Sequence, residues 1–413
     1  MTVVTRRAMA ARTVVVVVVS GTGAVATAVA GLAGLVTGGR PAARRRGYRG
    51  LVRTLERLGP TFVKFGQLAS TRRDTMPAAL ADALATLHDA VQPMPDEQAA
   101  AVIRRAAVPG LVRFATAPEA SGSIAGVYRG ELADGRVVAL KVKRPGIAAR
   151  MHTDLALMRA ATRLLQRLPR LRGMPLADLV GYVGAAIVGQ LDFVREAANA
   201  QRLRECLADV PRIVVPEVHP ELSSADCLVF GFLEGLDGGT PAGLTGEQRR
   251  VLAGRVLRAV HTMVFVHGFV HCDLHPGNVY LTRDGHAVVL DAGYCVQLTD
   301  RVRELIAGFF AALATGDGRR CGEIVLAAAV HPERADRAAF VAGMTAAVAR
   351  LAGPGVEFDM RVFGEAVFAL QQRHGIYAAS EFAFPLMSLN VVDGTLRGFS
   401  GEVDMRQVGA GQP

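Results

Sequence analysis

Tryptophan is absent from this 413-residue chain, and aromatic residues make up only 6% of it. That scarcity argues against a surface that grips nucleic acid by stacking bases on rings, and no recognisable nucleic-acid-binding module is present. The five cysteines, Cys206, Cys227, Cys272, Cys295 and Cys321, are odd in number, scattered and never spaced as CxxC. A disulfide scaffold is thereby excluded, and the thiols read as reduced groups of a cytoplasm-facing domain. Internal repeats are lacking too. What the chain has in quantity is apolar residues: a hydrophobic content of 51% over this length fills one large or two ordinary cores and excludes a disordered protein. Its net charge of +10, carried mostly by arginine, favours partners bearing phosphate: nucleotides, anionic lipids or nucleic acid, the last disfavoured by the missing rings.

Charge is missing altogether from Thr13 to Gly39, a stretch opened by Val14 to Val19 and continued in Ala and Gly. Such a length crosses a bilayer core as a helix. Gly21, Gly23, Gly31 and Gly34 would permit close approach of another helix. Arginines flank both ends, so their count leaves orientation undecided. The expectation is a membrane anchor with the following domain in the cytoplasm; a cleaved signal peptide and a helix buried in the protein or against a partner are the alternatives.

Residues 47–110 read as helices broken at Gly59-Pro60, Pro77, Pro93-Met94-Pro95 and Pro109. Short strands follow at Val112–Ala115, Gly126–Leu132 and Val137–Val142, with Asp134-Gly135 turning between the last two. Helical periodicity runs over Met151–Leu168 and Leu176–Leu207, and further strands are expected at Ile213–Val218 and Cys227–Leu233. The Gly-rich segment Glu234 to Gly239 is a candidate hinge. Thr245 with Gln248 forms a capping-box pattern for a helix ending near His267-Gly268. Beyond Leu298 the chain reads as helix, with a last break near Pro385.

Chemistry concentrates in His271 to Tyr294, HCDLHPGNVYLTRDGHAVVLDAGY. Phosphoryl transfer calls for one carboxylate near the acceptor, then an amide and a second carboxylate holding Mg²⁺ against nucleotide phosphates. Asp273, Asn278 and Asp291 supply these in order. Val279–Leu281, Arg283-Asp284-Gly285 and Ala287–Leu290 read as strand, tight turn and strand, which would carry Asp291 back beside Asn278. A buried polar loop with an unrelated Asp, or a zinc cluster of His271, Asp273 and His275, are the competing readings.

Upstream, Lys141 lies on the Val137–Val142 strand, where a Lys can neutralise ATP phosphates if a carboxylate steadies it; Glu196 is the candidate for that role. Lys143 shares the face of Lys141 on an ideal strand, so the two are the pair most easily exchanged. Ala120, Ser121, Gly122 and Ser123 stand where a phosphate-covering loop belongs, small enough for backbone N–H groups to reach anionic oxygens.

With these residues on the page, the chain resembles the UbiB/AarF family of atypical protein-kinase-like proteins over about Leu51 to Phe399. Most specific is Leu58 to Gln67, LGPTFVKFGQ, followed by Ser70, Thr71, Arg72 and Asp74, which looks like the family's KxGQ signature. Ala120–Tyr128 is similar to its Ala-rich nucleotide loop, Lys141–Gly146 to its lysine strand, Asp192 and Glu196–Asn199 to its acidic helix, and His271–Asn278 to its catalytic loop. Gln190, Ala292, Leu274 and Gly122 depart from the family's usual Glu, Phe, Pro and Ala.

The resemblance implies an α+β, two-lobed protein-kinase-like fold with a small β-rich N-lobe, a mainly helical C-lobe and an N-terminal helical extension. Expected boundaries are 1–46 for the hydrophobic segment, 47–110 for the KxGQ extension, 111–235 and 236–403 for the lobes, and 404–413 for a tail. It further implies ATP and Mg²⁺ as cofactors and a KxGQ segment, with Lys64 and Gln67, folded over the active site to restrict protein substrates. A small-molecule or lipid-linked substrate, quinone or other prenyl-lipid metabolism at a membrane, and a protein complex of lipid biosynthesis as partner follow by the same resemblance. A non-catalytic nucleotide-binding scaffold and an aminoglycoside-type phosphotransferase are the other readings.

Overall fold

The computed structural model describes residues 6–71, 77–87, 93–167, 176–236, 240–353 and 356–400. Arg72 and Asp74 of the signature, Leu168, residues 237–239 of the candidate hinge and the tail lie outside them. The chain divides into two compact units, one of Met1–Phe193 with Glu221–Val229, the other of Val194–Pro220 with Phe230–Pro413.

The first unit opens with α1 (Arg6–Leu58), a long helical run that reverses on itself. Gly39 has φ +68° and Pro41 follows two residues later, which ends one arm and starts another. The arms meet through small residues: a Cβ on Gly23 would collide with the Thr54 side chain, and one on Gly50 with Thr27. Gly21, expected to serve the same purpose, has open space around it. Then come α2 (Pro60–Thr71), α3 (Ala78–Ala85) and α4 (Asp96–Ala106). At their junction Asp154, fully buried, accepts 2.6 and 2.9 Å bonds from Arg12 and a 2.7 Å bond from Thr61. That carboxylate fastens the start of α1 and the first turn of α2 to one point.

Strands β1 (Leu111–Phe114), β2 (Ala120–Ser121), β3 (Ala125–Leu132) and β4 (Val137–Lys143) form an antiparallel sheet, followed by α5 (Ile147–Leu165) and α6 (Leu176–Gly189). Helix α7 (Phe193–Cys206) and β5 (Ile213–Val214) run into the second unit before β6 (Cys227–Gly231) completes the sheet in the order β1-β3-β4-β6. Alternation does the sorting here. Val138, Leu140 and Val142 turn to a core with Tyr128, Val102 and Ile103, which puts Ala139, Lys141 and Lys143 on the other face. The single helical run expected over Leu176–Leu207 is corrected to two helices, because the chain turns at Gln190–Asp192.

In the second unit α8 (Thr240–Gly243) precedes α9 (Gly246–His261), which opens on the expected Thr245–Gln248 capping box. A π turn at Thr262–Val266 extends α9 and stops at Gly268, φ +60°. Strand β7 (Phe269–His271), β8 (Val279–Leu281), β9 (Ala287–Val289) and β10 (Cys295–Gln297) follow; β7 pairs with β10, β8 with β9, and β5 adds parallel to β9. Helices α10 (Asp300–Ala314), α11 (Gly318–Ala327), α12 (Arg337–Leu351), α13 (Met360–Arg373) and α14 (Ser380–Ser400) complete it. Thr299, Asp317, Asp336 and Asp359 cap the first four of these through their side-chain oxygens. The break expected near Pro385 is corrected: Pro385 is the sixth residue of α14, and the helix continues through it at the cost of one backbone hydrogen bond, the one an N–H there would give the Glu381 carbonyl.

Candidate active site

Asp273, Asn278 and Asp291 come together in the second unit for a local reason. The β8–β9 hairpin pairs Val279 with Val289, and one step further the Leu290 N–H donates to the Asn278 carbonyl at 2.9 Å. Asp291 therefore emerges beside Asn278. The turn at Arg283–Gly285 is held from outside, with Arg212 on the Asp284 carbonyl and Arg255 on that of Gly285. Asn278 donates its Nδ2 to the Asp273 carbonyl at 2.9 Å, which directs its side-chain oxygen elsewhere. Asp291 sits at φ +54°, a left-handed conformation that Asp tolerates better than most residues, and its Oδ1 accepts from the Gly293 N–H at 3.1 Å. A carboxylate and an amide oxygen form a hard donor set of the kind Mg²⁺ prefers.

His271 supports this loop instead of ligating a metal. Its Nε2 lies 3.1 Å from the Leu290 carbonyl and its Nδ1 accepts from the Asp273 N–H at 3.1 Å, so both ring nitrogens are engaged by backbone. The Nε2–H tautomer satisfies both bonds. Complete burial pushes its pKa below the usual histidine value, against the raising influence of Asp273, the Leu290 carbonyl and Asp291. The zinc reading of His271, Asp273 and His275 has no such cluster to rest on among the described residues. Cys272, buried in the same loop, has its thiol pushed far up by burial and then by Asp273.

Glu196 lies in the first turn of α7 and is buried, within this same unit. One turn on, Asn199 donates to the Ala292 carbonyl at 3.0 Å, tying α7 to the Asp-Ala-Gly segment. The Cys295 thiol is raised by burial first, then by Cys272, Asp291 and Glu196, so both carboxylates lie within electrostatic reach of one sulfur. A cavity of about 610 Å³, bounded by Val214, Leu236, Thr282 and His286, opens at the far end of the β8–β9 hairpin and does not include the Asp291 end.

In the first unit, Lys141 and Lys143 share a face as the strand period requires, with Nζ atoms 5.6 and 4.6 Å from the Phe193 ring centroid. Lys143 also donates to the Ala225 carbonyl and stands 3.8 Å from Asp226. Ala120 and Ser121 form a short strand on β3, and the Gly122 N–H closes a tight turn on the Ala125 carbonyl, so the expected loop is a hairpin tip. Arg144 braces it, donating to the Gly122 carbonyl at 2.8 Å and to the Ser121 hydroxyl at 2.9 Å, while Ser123 is buried. Lys64 and Gln67 lie on α2. Gln67 donates to the Leu87 carbonyl at 3.0 Å, and a Cβ on Gly66 would strike Leu87, so this signature also fixes how closely α2 meets α3.

Sequence reasoning missed the residues that position others: Arg144, Asn199, Asp154 and Thr395, whose hydroxyl donates to the Leu274 carbonyl of the candidate catalytic loop at 3.0 Å. Asn199 and Arg144 carried a signal, as parts of the acidic-helix and lysine-strand motifs.

Comparison with known proteins bears on the family and the fold. Residues 86–325 match the ABC1 atypical kinase-like domain. The chain is 34% identical over 281 residues to the "Probable protein kinase UbiB" of Azotobacter vinelandii, covering 65% of this chain and 52% of that protein. It is 36% identical over 310 residues to the protein of the same name from Xanthomonas euvesicatoria, covering 70% and 55%. The matched part thus spans about half the length of these relatives. Among solved structures, the Rv3197–erythromycin complex of Mycobacterium tuberculosis superposes with a TM-score of 0.56 at 20% identity, covering 88% of this chain and 92% of that one, a likeness of fold. On the family match together with the kinase-like α+β architecture, the chain belongs to the ABC1 atypical kinase-like family.

Proposed function

We propose that this protein is an ATP- and Mg²⁺-dependent atypical kinase or ATPase of UbiB type, acting on a small-molecule or lipid-linked substrate at the cytoplasmic face of a membrane. The observation that carries the reading is the hairpin that sets Asp291 beside Asn278, with Asp273 joined to Asn278 through its own carbonyl. Bound Mg²⁺ would neutralise charge on the transferring phosphoryl group. Asn278 and Asp291 would hold it through oxygen. Asp273 would position the acceptor hydroxyl or take its proton, and Lys141, on its strand above Phe193, would align phosphates. Glu196 would orient Lys141, and the hairpin tip Ala120–Ser123 would cover the nucleotide. Membrane association is supported by Ala10–Ala30, a helix long and apolar enough to span and only 6% buried. Quinone or other prenyl-lipid metabolism, and a protein complex that carries it out, enter this proposal through the resemblance to the UbiB/AarF family.

The test is ATP turnover by the purified protein and by Asp291→Asn, which keeps the side chain's size and its tolerance of positive φ while removing the charge. Turnover should fall at least about 100-fold, as when a principal electrostatic group is lost. Unchanged turnover would reject the assignment. One observation favours a second reading, a nucleotide-binding scaffold without catalysis: Gln190, buried in the turn before α7, is neutral where the family has an acid. That scaffold would gain thermal stability from ATP and release no phosphate.

A further inference from the structure

The reversal of α1 at Gly39 gives its two arms opposite characters. On the first arm Val14, Val17, Val18, Val25 and Val29 are each more than half exposed, between 55% and 66%. The second arm carries six arginines from Arg44 to Arg57 against the single Glu56, and Arg45, Arg49, Arg53 and Arg57 recur every four residues as an exposed basic stripe. The arms are packed on each other through Gly23, Thr27, Gly50 and Thr54, so they move as one body. A first arm crossing the bilayer would drag that stripe into hydrocarbon, where each arginine is heavily penalised. We propose that this hairpin does not span but lies in the plane of an anionic bilayer surface, its valines in the acyl boundary and its arginines at lipid phosphates. The inference rests on the membrane association proposed above and replaces a span with a surface mode. Arg12, paired with buried Asp154, fixes the base of the hairpin to the folded unit.

Vesicle flotation of the full chain tests it, using phosphatidylcholine alone and phosphatidylcholine with phosphatidylglycerol. Binding should require phosphatidylglycerol, be stripped by high salt or alkaline carbonate, and weaken by about 30-fold or more in R49E/R53E, whose exposed positions leave folding intact. Ala42→Cys, next to the reversal, should react with an impermeant maleimide added outside vesicles without detergent. Carbonate-resistant binding with a protected Ala42→Cys would mean a true span, overturning the surface mode while leaving membrane association standing. Failure to float with either vesicle, or a stable dimer by light scattering that covers the valines, would overturn both.

Discussion

His271 shows how much of the His271–Asn278 loop is set by one uncharged ring. Its folded pKa is depressed by burial, so between that value and the unfolded value near 6.5 the unfolded chain binds a proton that the folded chain does not. Stability from the neutral ring is therefore full above about pH 6.5 and declines as pH falls towards the folded pKa. Thermal unfolding of the wild type between pH 5 and 8 should show that acid loss, and His271→Asn should flatten it; a parallel pH dependence in the variant would contradict the assignment. Gly122 makes the opposite kind of prediction. Its φ is not positive and a Cβ there would meet only the Ala125 carbonyl at 3.5 Å, an ordinary contact. Gly122→Ala should raise stability by about 0.4–1 kcal/mol through the unfolded state, and a fall in melting temperature would show that the tip needs glycine. At this scale the sequence was readable wherever a residue type has few uses: Asp273, Asn278 and Asp291 stand out as a spaced set. Arg144 and Asp154 do not, because their work depends on what folds against them.

Among elements, the junction of α1, α2 and α5 is the one most exposed to a single change. Asp154 has no solvent access and answers both Arg12 and Thr61. Asp154→Ala leaves a mostly buried guanidinium without its carboxylate, and about 3 kcal/mol should be lost from the first unit by denaturant unfolding. A loss below about 1 kcal/mol would mean the pair is merely tolerated at a wet surface. Strands β3, β4, β8 and β9 and the turns at Asp134-Gly135 and Arg283–Gly285 were legible because alternation and turn chemistry are local signals. The reversal at Gly39–Pro41 was hidden at the end of an uncharged stretch whose length matched a membrane span. Periodicity across Gln190–Asp192 likewise masked a turn, since it counts apolar spacing and registers no change of direction.

At the scale of the whole molecule, each unit carries a different share of the proposed chemistry: the lysine strand, hairpin tip and KxGQ helix in the first, the Asp273–Asn278–Asp291 loop and Glu196 in the second. Kinase-like function then predicts that nucleotide stabilises the protein only with the divalent ion that the second unit's oxygens are proposed to hold. A thermal-shift titration with ATP, with and without Mg²⁺, on the wild type and Asp291→Asn is the most direct measurement. The account predicts a rise that grows with the logarithm of Mg·ATP concentration, reaching about 2.7 kcal/mol of stabilisation at a hundred-fold excess over the dissociation constant, and loss of the Mg²⁺ dependence in Asp291→Asn. An unchanged melting temperature in Mg·ATP, or the same Mg²⁺-dependent rise in both proteins, would contradict it.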